Sequence, residues 1–414
     1  MKILLINQTF YPDPVSTGQH LTDLAKRLAS NGHEVSVIAG AHGYDDPALK
    51  FSRFENYRGI KIFRIPYTSF GKSARWKRLA DFMSFNLRLC LRLIAMPSQD
   101  VVVGLTSPPL VAVLGNWFCI LKGGRFVYWV MDLNPDEALA AGWLKEHSLS
   151  VWFLKKASRW SFRRSPLVIA LDRFMKKRIR DVYGIAEDKI TVLPPWAHDE
   201  YIHPVPQGEN AFRRKENLGD KFVVMYSGNH GPCHPLGTLL QTARYYKEDN
   251  HILFYFIGGG SRVGEVREYK EALGLKNIIQ LDYQPLETLA HSLSAADLHV
   301  VTMGEAFVGI VHPCKLYGIL SAGRPFVLIG PDESAVGDVI RQTGLGTQVK
   351  PGDVKGLVQV VETARRRLLS EREEICRRSV LLKNERFSQA VLCGRLANLI
   401  EGFGRSSGWS EAHA

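Results

Sequence analysis

The sequence lacks the paired cysteines of a metal or redox motif. Its six cysteines lie at positions 90, 119, 233, 314, 376 and 393, and no two are separated by only two residues. This spacing argues against a zinc ribbon or a thioredoxin-like motif. No leader with a basic start, an apolar run and a small-residue cleavage site precedes the apolar residues Ile3 to Leu5. We therefore expect a reducing, cytoplasmic compartment.

An unbroken apolar run of membrane-spanning length is also missing. The longest uncharged window, 101–121, is interrupted by Ser107-Pro108-Pro109 and by Asn116. These breakers favour a buried strand, a turn and a core helix over a membrane span. With 45% hydrophobic and 23% charged residues in a chain of 414, the composition is globular and the length predicts two domains of about 200 residues each.

Acidic residues are scarce in one half only. The formal net charge is +12, of which residues 1–205 contribute +10 and residues 206–414 contribute +2. The basic residues of the first half are concentrated in segments 71–95 and 145–180, where aromatic and aliphatic residues are interleaved with them. A basic, aromatic-rich surface of this kind attracts an anionic bilayer.

Five residues of these segments are candidate contacts with a membrane or a membrane-bound acceptor: Arg75, Trp76, Lys77, Arg78 and Trp160. The same charges would suit nucleic acid, but no nucleic-acid-binding module is recognisable, so we do not expect nucleic acid as a partner. The alternative is that the apolar residues belong to the core and the charges form ordinary solvated faces.

Short apolar runs alternate with amphipathic stretches in both halves, and this rhythm predicts α/β domains with doubly wound sheets. The predicted strands are 2–8, 34–39, 61–65, 101–105, 126–130 and 168–171 in the first half, and 222–227, 252–257, 277–281, 298–302 and 326–330 in the second. A proline-rich stretch near 193–208 predicts an extended linker. The predicted divisions are 1–197, 198–383 and a segment 384–414 whose helix could pack on either domain.

Glycine-rich loops follow several predicted strands, where ligands bind in open α/β sheets. Gly18 begins the first helix, although a glycine used only for the turn explains it equally well. The second half offers Gly228-Asn229-His230 after one strand and Gly258-Gly259-Gly260 after the next. The spacing of Gly258, Gly260 and Gly264 misses the dinucleotide fingerprint by one position, which gives a nicotinamide cofactor little support.

A short helix is predicted between Pro313 and Gly323, and it begins with Cys314, Lys315 and Leu316. The amides of these three residues and the Lys315 charge could hold an anion, because a cation in the first turn opposes the helix dipole unless an anion binds there. A solvated surface lysine is the alternative. His230, Cys233, His234, His312 and Cys314 also allow a zinc site, but we favour hydrogen-bonding histidines beside an anionic ligand and expect no metal.

The order and spacing of several motifs resemble those of glycosyltransferase family 4, in particular its colanic-acid and O-antigen branch. The resemblance covers nearly the whole chain. Its motifs are Asn31-Gly32-His33-Glu34-Val35, Asp132-Leu133-Asn134-Pro135-Asp136, Lys189-Ile190-Thr191-Val192-Leu193-Pro194, Ser227-Gly228-Asn229-His230-Gly231, Ala295-Ala296-Asp297-Leu298 and Pro313-Cys314-Lys315-Leu316-Tyr317.

The resemblance implies the GT-B fold, in which two Rossmann-like domains face a central cleft, and transfer of a sugar with retention at the anomeric carbon. A nucleotide-diphosphate sugar, UDP-linked in our prediction, would be held mainly by the C-terminal domain and the acceptor by the N-terminal domain, with no other cofactor. We assign catalysis to Asp132 and Lys315. Asp132 would orient the acceptor hydroxyl or stabilise positive charge on the sugar, unless it is only the N-cap of the next helix.

The sequence departs from the family at the ribose-binding position. Many members carry two glutamates eight positions apart, and here those positions are Ile310 and Gly318. Glu305 could replace part of their role if its loop folds back. The predicted donor-binding residues are Gly18, Gly228, Asn229, His230, Gly258, Gly259, Glu305, Cys314 and Leu316.

The resemblance predicts transfer of a hexose or N-acetylhexosamine to a lipid-linked saccharide during bacterial surface polysaccharide biosynthesis, by an enzyme bound peripherally to the inner face of the cytoplasmic membrane. Two alternatives stay open. One is a sugar-nucleotide epimerase of the same fold, and the other is an inactive scaffold of a polysaccharide-assembly complex.

Overall fold

The chain forms two compact units in the structure, a computed structural model that describes residues 1–44, 46–70 and 75–405. The first unit comprises Met1–Pro195 and the C-terminal segment from Leu392, and the second comprises Trp196–Val391. The chain therefore passes between units two residues before the predicted boundary at 197 and again eight residues after the predicted start of the last segment at 384.

The first unit is a sheet with helices around it. Its strands are β1 (Lys2–Ile6), β2 (Glu34–Gly40), β3 (Phe54–Tyr57), β4 (Ile60–Ile65), β5 (Val101–Gly104), β6 (Arg125–Trp129), β7 (Leu167–Ala170) and β8 (Ile190–Val192). Its helices before the passage to the second unit are α1 (Ser16–Ser30), α2 (Arg75–Ala95), α3 (Val111–Lys122), α4 (Asp136–Ala140), α5 (Leu149–Arg164) and α6 (Arg173–Tyr183).

The strand order of this sheet is β3-β4-β2-β1-β5-β6-β7-β8, and only the β3–β4 pair is antiparallel. The central strands are buried on both faces, as the fully enclosed residues Ile3 to Ile6 illustrate, and this explains their continuous apolar runs. The order reverses between β1 and β5, so ligand-binding loops are expected after these strands and their neighbours.

The second unit has an all-parallel sheet. Its strands are β9 (Phe222–Ser227), β10 (Ile252–Ile257), β11 (Ile278–Leu281), β12 (Leu298–Thr302), β13 (Phe326–Ile329) and β14 (Thr347–Val349). Its helices are α7 (Ala211–Lys215), α8 (Gly237–Tyr245), α9 (Val263–Leu273), α10 (Leu289–Ser294), α11 (Lys315–Ser321), α12 (Ala335–Thr343), α13 (Val354–Arg366) and α14 (Leu369–Leu382). The last helix of the described residues is α15 (Gln389–Arg405).

The strand order of the second sheet is β11-β10-β9-β12-β13-β14. This is the Rossmann order, with the reversal between β9 and β12. Apolar residues of β9, β10 and β12 pack with those of α8 and α13 in a buried core. The loops that leave β9, β10 and β12 are therefore held at the edge where this fold binds ligands.

All eleven predicted strands are present to within two residues at each end, and the doubly wound character of both halves is confirmed. The window 101–121 forms β5, a turn and all of α3 except its last residue, as predicted. In the described ranges, every helix is either too short or too polar to cross a bilayer. Strands β3, β8 and β14 were not predicted; each has only three or four residues.

The proline-rich stretch between the units is packed rather than freely extended, which corrects the linker prediction. Trp196 is 1% exposed and Val205 is buried, and the Val205 amide donates to Ser294 Oγ at 3.0 Å. After Leu392, α15 belongs to the first unit, where Glu401 accepts a hydrogen bond from Asn31 Nδ2 at 2.7 Å. The terminal helix thus packs on the N-terminal domain.

Candidate functional site

The loops after β9 and β10 touch through their glycines. Gly228, Gly258 and Gly260 have φ angles of 132°, 128° and 129°, a region that side chains with a Cβ rarely adopt. A Cβ at Gly258 would lie 2.2 Å from the Gly228 carbonyl oxygen, and one at Gly260 would lie 2.3 Å from Asn229 Oδ1. The predicted donor-binding residues Gly228, Asn229 and Gly258 therefore lie at one surface that is lined by backbone. The glycines at 258 and 260 are needed because a Cβ there would clash with the neighbouring loop.

Lys315, the first residue of α11, extends to this surface. Its ammonium nitrogen lies 3.7 Å from the centre of the Tyr226 ring and would be 3.6 Å from a Cβ at Gly228. The nitrogen is buried and has no hydrogen-bond partner among the described residues. The solvated-lysine alternative is therefore wrong: this is an enclosed cation beside a glycine loop.

Two histidines share the environment of Lys315. His230 is 1% exposed, and neither of its ring nitrogens has a partner at hydrogen-bonding geometry. Burial, followed by the nearby Lys315 charge, lowers the pKa of His230 to about 4, although the Gly259 and Gly228 carbonyls act in the opposite direction. The same two causes lower the pKa of His234 to about 3. Both imidazoles are therefore neutral at pH 7.

The start of α11 offers fewer free amides than predicted. The amide of Cys314 donates to the His312 carbonyl at 3.0 Å, and that of Leu316 donates to the Pro313 carbonyl at 3.4 Å. Local turns therefore occupy two of the three amides proposed for anion binding. The side chain of Lys315, rather than a helix N-terminus, is the group that this element presents.

Tyr283 is a further residue at this surface, and the sequence did not indicate it. It follows β11 and is 56% exposed. A Cβ at Gly259, a predicted donor-binding residue, would lie 2.9 Å from the Tyr283 ring. The ring and the glycine are therefore in close contact, which leaves an exposed aromatic side chain beside the β10 loop.

The family's ribose-binding positions are apolar here. Ile310 is buried, and a Cβ at Gly318 would face Leu293 and Ile202 at 3.4 and 3.6 Å. A carboxylate at Gly318 would therefore enter apolar surroundings. Glu305 is exposed in the loop after β12, and the Gly304 amide before it donates to the Cys233 carbonyl at 2.9 Å. This hydrogen bond ties the base of the Glu305 loop to the β9 loop.

The histidines and cysteines of the second unit do not assemble into a metal centre. In the part of the chain that the structure describes, no three His, Cys, Asp or Glu side chains are grouped to hold an ion. His234 Nδ1 lies 2.7 Å from the Thr302 carbonyl oxygen, and His312 Nε2 lies 2.7 Å from the Tyr317 hydroxyl. Hydrogen bonding accounts for these two rings.

A groove of about 700 Å³ lies elsewhere in the second unit. Its lining includes Phe326 and Thr347, the first residues of β13 and β14, and Gln359 of α13. It therefore opens at the amino ends of the strands. Because open α/β sheets bind ligands at the carboxyl ends, we do not assign the donor to this groove.

In the first unit, Gly18 is a packing residue. It is buried in the first turns of α1, and a Cβ there would lie 3.2 Å from the Phe10 nitrogen and from Thr9 Oγ1. Glycine therefore allows the helix to approach the loop after β1. Nothing in this geometry tests the predicted contact with the donor.

Asp132 follows β6 at the carboxyl edge of the first sheet. Its amide donates to Thr106 Oγ1, after β5, at 3.3 Å. The N-cap of α4 is Pro135, so the capping alternative for Asp132 is wrong. Burial, with a smaller effect of the Glu137 carboxylate, raises the pKa of Asp132 to about 8. Burial also raises the pKa of Glu137.

Arg78 is a partly exposed neighbour of this acidic pair. Its guanidinium lies 5.2 Å from the centre of the Trp143 ring and 5.4 Å from that of Phe82. Its charge also lowers the pKa of Glu137, in opposition to burial. Arg78 therefore packs on aromatic rings beside Glu137 while it stays accessible from solvent.

Helix α2 has two apolar faces. Phe85, Leu89 and Leu93 are buried, with exposures of 0, 0 and 4%. The opposite face carries a stripe at helical spacing with exposures between 57 and 66%, formed by Trp76, Leu79, Met83, Leu87, Leu91 and Ile94. Lys77 lies beside this stripe, 5.9 Å from the centre of the Trp76 ring, whereas the side chain of Arg75 is outside the described part of the structure.

The exposed apolar surface continues on two neighbouring helices, since α2 packs beside α3 and α3 beside α5. Trp160 of α5 is partly exposed and stacks on Trp117 of α3, with ring centres 5.7 Å apart. The other exposed members are Ile120, Leu121, Leu149, Trp152 and Phe153. We call the exposed apolar residues of α2, α3 and α5 the apolar face.

Comparison with known proteins finds similarity to glycosyltransferases. Residues 17–201 match the family model described as Glycosyltransferase Family 4. The matched residues form most of the first unit. WcaI of Escherichia coli K12, named as a colanic acid biosynthesis glycosyl transferase, is 25% identical over 382 residues, which are 88% of this chain and 92% of WcaI. WbjE of Pseudomonas aeruginosa, named as a glycosyltransferase, is 24% identical over 267 residues, 64% of this chain and 65% of WbjE.

Solved structures of glycosyltransferases share the fold of this chain. HepE of Anabaena, in complex with UDP and glucose, superposes with a TM-score of 0.74 at 16% identity, covering 97% of this chain and 100% of HepE. WaaG, a glycosyltransferase involved in lipopolysaccharide biosynthesis, gives a TM-score of 0.73 at 16% identity with the same coverage. The predicted GT-B fold is confirmed. The predicted resemblance to family 4 and to its colanic-acid and O-antigen branch is confirmed by the family-model match and by the similarity to WcaI and WbjE.

Proposed function

We propose that this glycosyltransferase transfers a hexose or N-acetylhexosamine, with retention, from a UDP-linked donor to a lipid-linked saccharide in bacterial surface polysaccharide biosynthesis. The observation that carries the proposal is the enclosed, unpartnered ammonium of Lys315 beside Gly228. A buried cation without an anion is costly. A diphosphate at the glycine surface would supply the missing anion.

Lys315 has a chemical role in the proposed reaction. When the bond between the sugar and the diphosphate breaks, negative charge develops on the leaving oxygen. An ammonium held in an enclosed site stabilises that charge more strongly than one in water, because the local dielectric is low. Gly228 and Gly258, which have no side chains, leave the backbone open to the phosphates. The proposal therefore gives the charge-stabilising role to Lys315 and none to a metal ion.

The related proteins support the choice of donor and pathway. HepE has been solved with UDP and glucose, and also with UDP-glucose. The name of WcaI refers to colanic acid and that of WaaG to lipopolysaccharide. We extend both features, a UDP-sugar donor and a surface polysaccharide product, to this chain. In this proposal Tyr283 lies where a base could stack on its exposed ring.

Asp132 is our candidate for the acceptor side. A carboxyl group whose pKa is about 8 holds its proton at pH 7, so it can donate a hydrogen bond. This favours orientation of an acceptor hydroxyl over stabilisation of positive charge on the sugar, since a neutral acid carries no charge. Arg78, placed near Glu137, would then be a polar neighbour of the acceptor rather than a membrane contact.

We further propose that the apolar face binds the cytoplasmic surface of an anionic membrane. Single exposed apolar residues are common, but a stripe of six on α2, continued on α3 and α5, is not. Basic residues lie on the same helices: Arg88 and Lys156 are exposed, and the Lys156 ammonium lies 4.2 Å from the centre of the Trp152 ring. Apolar insertion and attraction to anionic lipid together are typical of peripheral binding.

One experiment tests the reaction. The purified protein is incubated with labelled UDP-sugars and a panel of lipid-linked saccharides, with and without EDTA, and the anomeric configuration of any product is read by NMR. We expect acceptor-dependent release of UDP, an unchanged anomeric configuration and no effect of EDTA. Interconversion of the sugar nucleotide without an acceptor would indicate the epimerase, and neither reaction would indicate the inactive scaffold.

A further inference from the structure

The ammonium of Lys315 has no neighbour that favours its charge strongly. The nitrogen is buried over the Tyr226 ring, and no carboxylate of the described residues is within hydrogen-bonding distance. An aromatic face attracts a cation, but by less than the cost of removing an ammonium from water. The Lys315 ammonium therefore lacks a counter-charge in the empty site, and an anionic ligand would supply it.

The ionisable groups that face this nitrogen come from two elements. β9 and its loop contribute Tyr226, His230, Cys233 and His234, and the turn before α11 contributes Cys314. The Lys315 charge contributes to the lowered pKa values of both imidazoles, which are neutral at pH 7 and offer no counter-charge, whereas the two thiols act in favour of the ammonium. As a result, burial lowers the pKa of Lys315 to about 7, with the Cys233 and Cys314 thiols offsetting part of the effect.

We infer that the nucleotide-diphosphate sugar binds together with a proton, which Lys315 takes up as the diphosphate enters the surface formed by Gly228 and Gly258. The inference rests on the proposed donor site and deepens it. A diphosphate beside the nitrogen replaces the missing counter-charge and returns the lysine to its ordinary, fully protonated state. Affinity for the donor then depends on how many empty sites already carry the proton.

The linkage has a defined sign and range. Between the pKa of the empty site, about 7, and the ordinary lysine value of about 10.4, the donor affinity should fall about tenfold per pH unit. At pH 8 binding should take up about 0.9 proton per site, and at pH 6 only about 0.1 from this group. Histidines with an ordinary pKa of about 6.5 stay neutral at pH 8, so uptake there reports Lys315.

The test is titration calorimetry with UDP-glucose, and with GDP-mannose in parallel, between pH 6 and 8.5. At each pH the titration is repeated in two buffers of different ionisation enthalpy, which gives the number of protons bound. A sugar nucleotide is preferred to free UDP, whose terminal phosphate itself titrates at about pH 6. We expect near-complete uptake of one proton at pH 8 and an about eightfold loss of affinity from pH 7.5 to 8.5.

Two variants identify the group. Lys315→Arg keeps a permanent charge, so its proton uptake at pH 8 and the pH dependence of its affinity should disappear. Lys315→Met should bind at least tenfold more weakly at pH 6.5, again without uptake at pH 8. Uptake that persists in both variants would assign the proton to the thiols and overturn the inference.

The wild-type result separates the inference from the donor proposal. Binding of either sugar nucleotide without proton uptake at pH 8 would overturn the inference and leave the proposed donor intact. Failure of both sugar nucleotides to bind at any pH would overturn the donor assignment and this inference with it.

Discussion

Removal of the exposed stripe of α2 should abolish membrane binding without unfolding the protein. The perturbation is the triple replacement Leu79→Gln, Met83→Gln and Leu87→Gln, at side chains that are 60, 57 and 66% exposed. Full burial of such a side chain contributes about 1.5–3 kcal/mol, and with roughly 60% left to bury each would contribute about 1–2 kcal/mol on entering a bilayer. The three together contribute about 3–5 kcal/mol, which predicts a loss of partitioning of about 100- to 10,000-fold.

The assay is co-sedimentation with vesicles of phosphatidylglycerol and phosphatidylethanolamine, with the melting temperature measured in parallel. Its matched control is Leu368→Gln with Leu369→Gln, which are 67 and 71% exposed but lie in the second unit. We expect the control to bind as the wild type does, and the wild type to bind more weakly at high salt. Unchanged binding of the triple variant, or an equal loss in the control, would refute membrane docking by the apolar face.

Three further outcomes are expected. Lys315→Met should lower kcat about 100- to 1000-fold in the transfer assay while the melting temperature holds or rises, because a buried cation is removed; unchanged turnover would exclude Lys315 from catalysis. Gly258→Ala should lower the melting temperature markedly, since its Cβ would lie 2.2 Å from the Gly228 oxygen, whereas Gly237→Ala, with nothing within 4 Å, should not. Asp132→Asn should become more stable relative to the wild type as the pH rises from about 4 to 8. The reason is that the carboxyl group keeps its proton to about pH 8 in the folded protein but loses it near pH 4 in the unfolded chain. A difference in melting temperature between variant and wild type that stays constant over this range would contradict the raised pKa.

The sequence predicts the sheets well because their strands are buried on both faces. Runs such as those of β1 and β9 are continuous and apolar, and turn residues delimit them. Strand β3 gives no such signal, since its sequence FENY is half-exposed at the edge of the sheet. Short edge strands depend on pairing with a neighbour rather than on their own composition, so local patterns do not reveal them.

The sequence locates the basic, aromatic-rich helices but does not show which of their residues are exposed. In α2 the apolar residues lie on two opposite faces, and periodicity alone does not say which of them packs on the sheet. Only the packed structure distinguishes Phe85 and Leu89, which are buried, from Leu79 and Met83, which are exposed. The direction of Arg78 depends on Trp143 and Glu137, more than 50 residues away, and is likewise invisible locally.

The candidate site was found only in part for the same reason. Proline and glycine signals located α11 and therefore Lys315, a local inference. The burial of its nitrogen depends on Tyr226 and Gly228, which reach it only because β9 and β12 pair in parallel at the centre of the sheet. No spacing in the sequence encodes that contact. The lowered pKa of Lys315, which results from the contact, is therefore also not predictable from the sequence.

The uneven charge of the chain acquires a physical explanation from these contacts. The first half, with +10, carries many of its basic residues on exposed helices. Salt screens each of these charges, so the proposed attraction to an anionic membrane needs many of them. The second half, with +2, encloses Lys315 among neutral imidazoles, where the low dielectric makes a single charge effective at short range. A site that works by burial needs few charges, but it must regain a proton to work. The near-neutral second half and the proposed uptake of a proton with the donor thus follow from the same enclosure of Lys315.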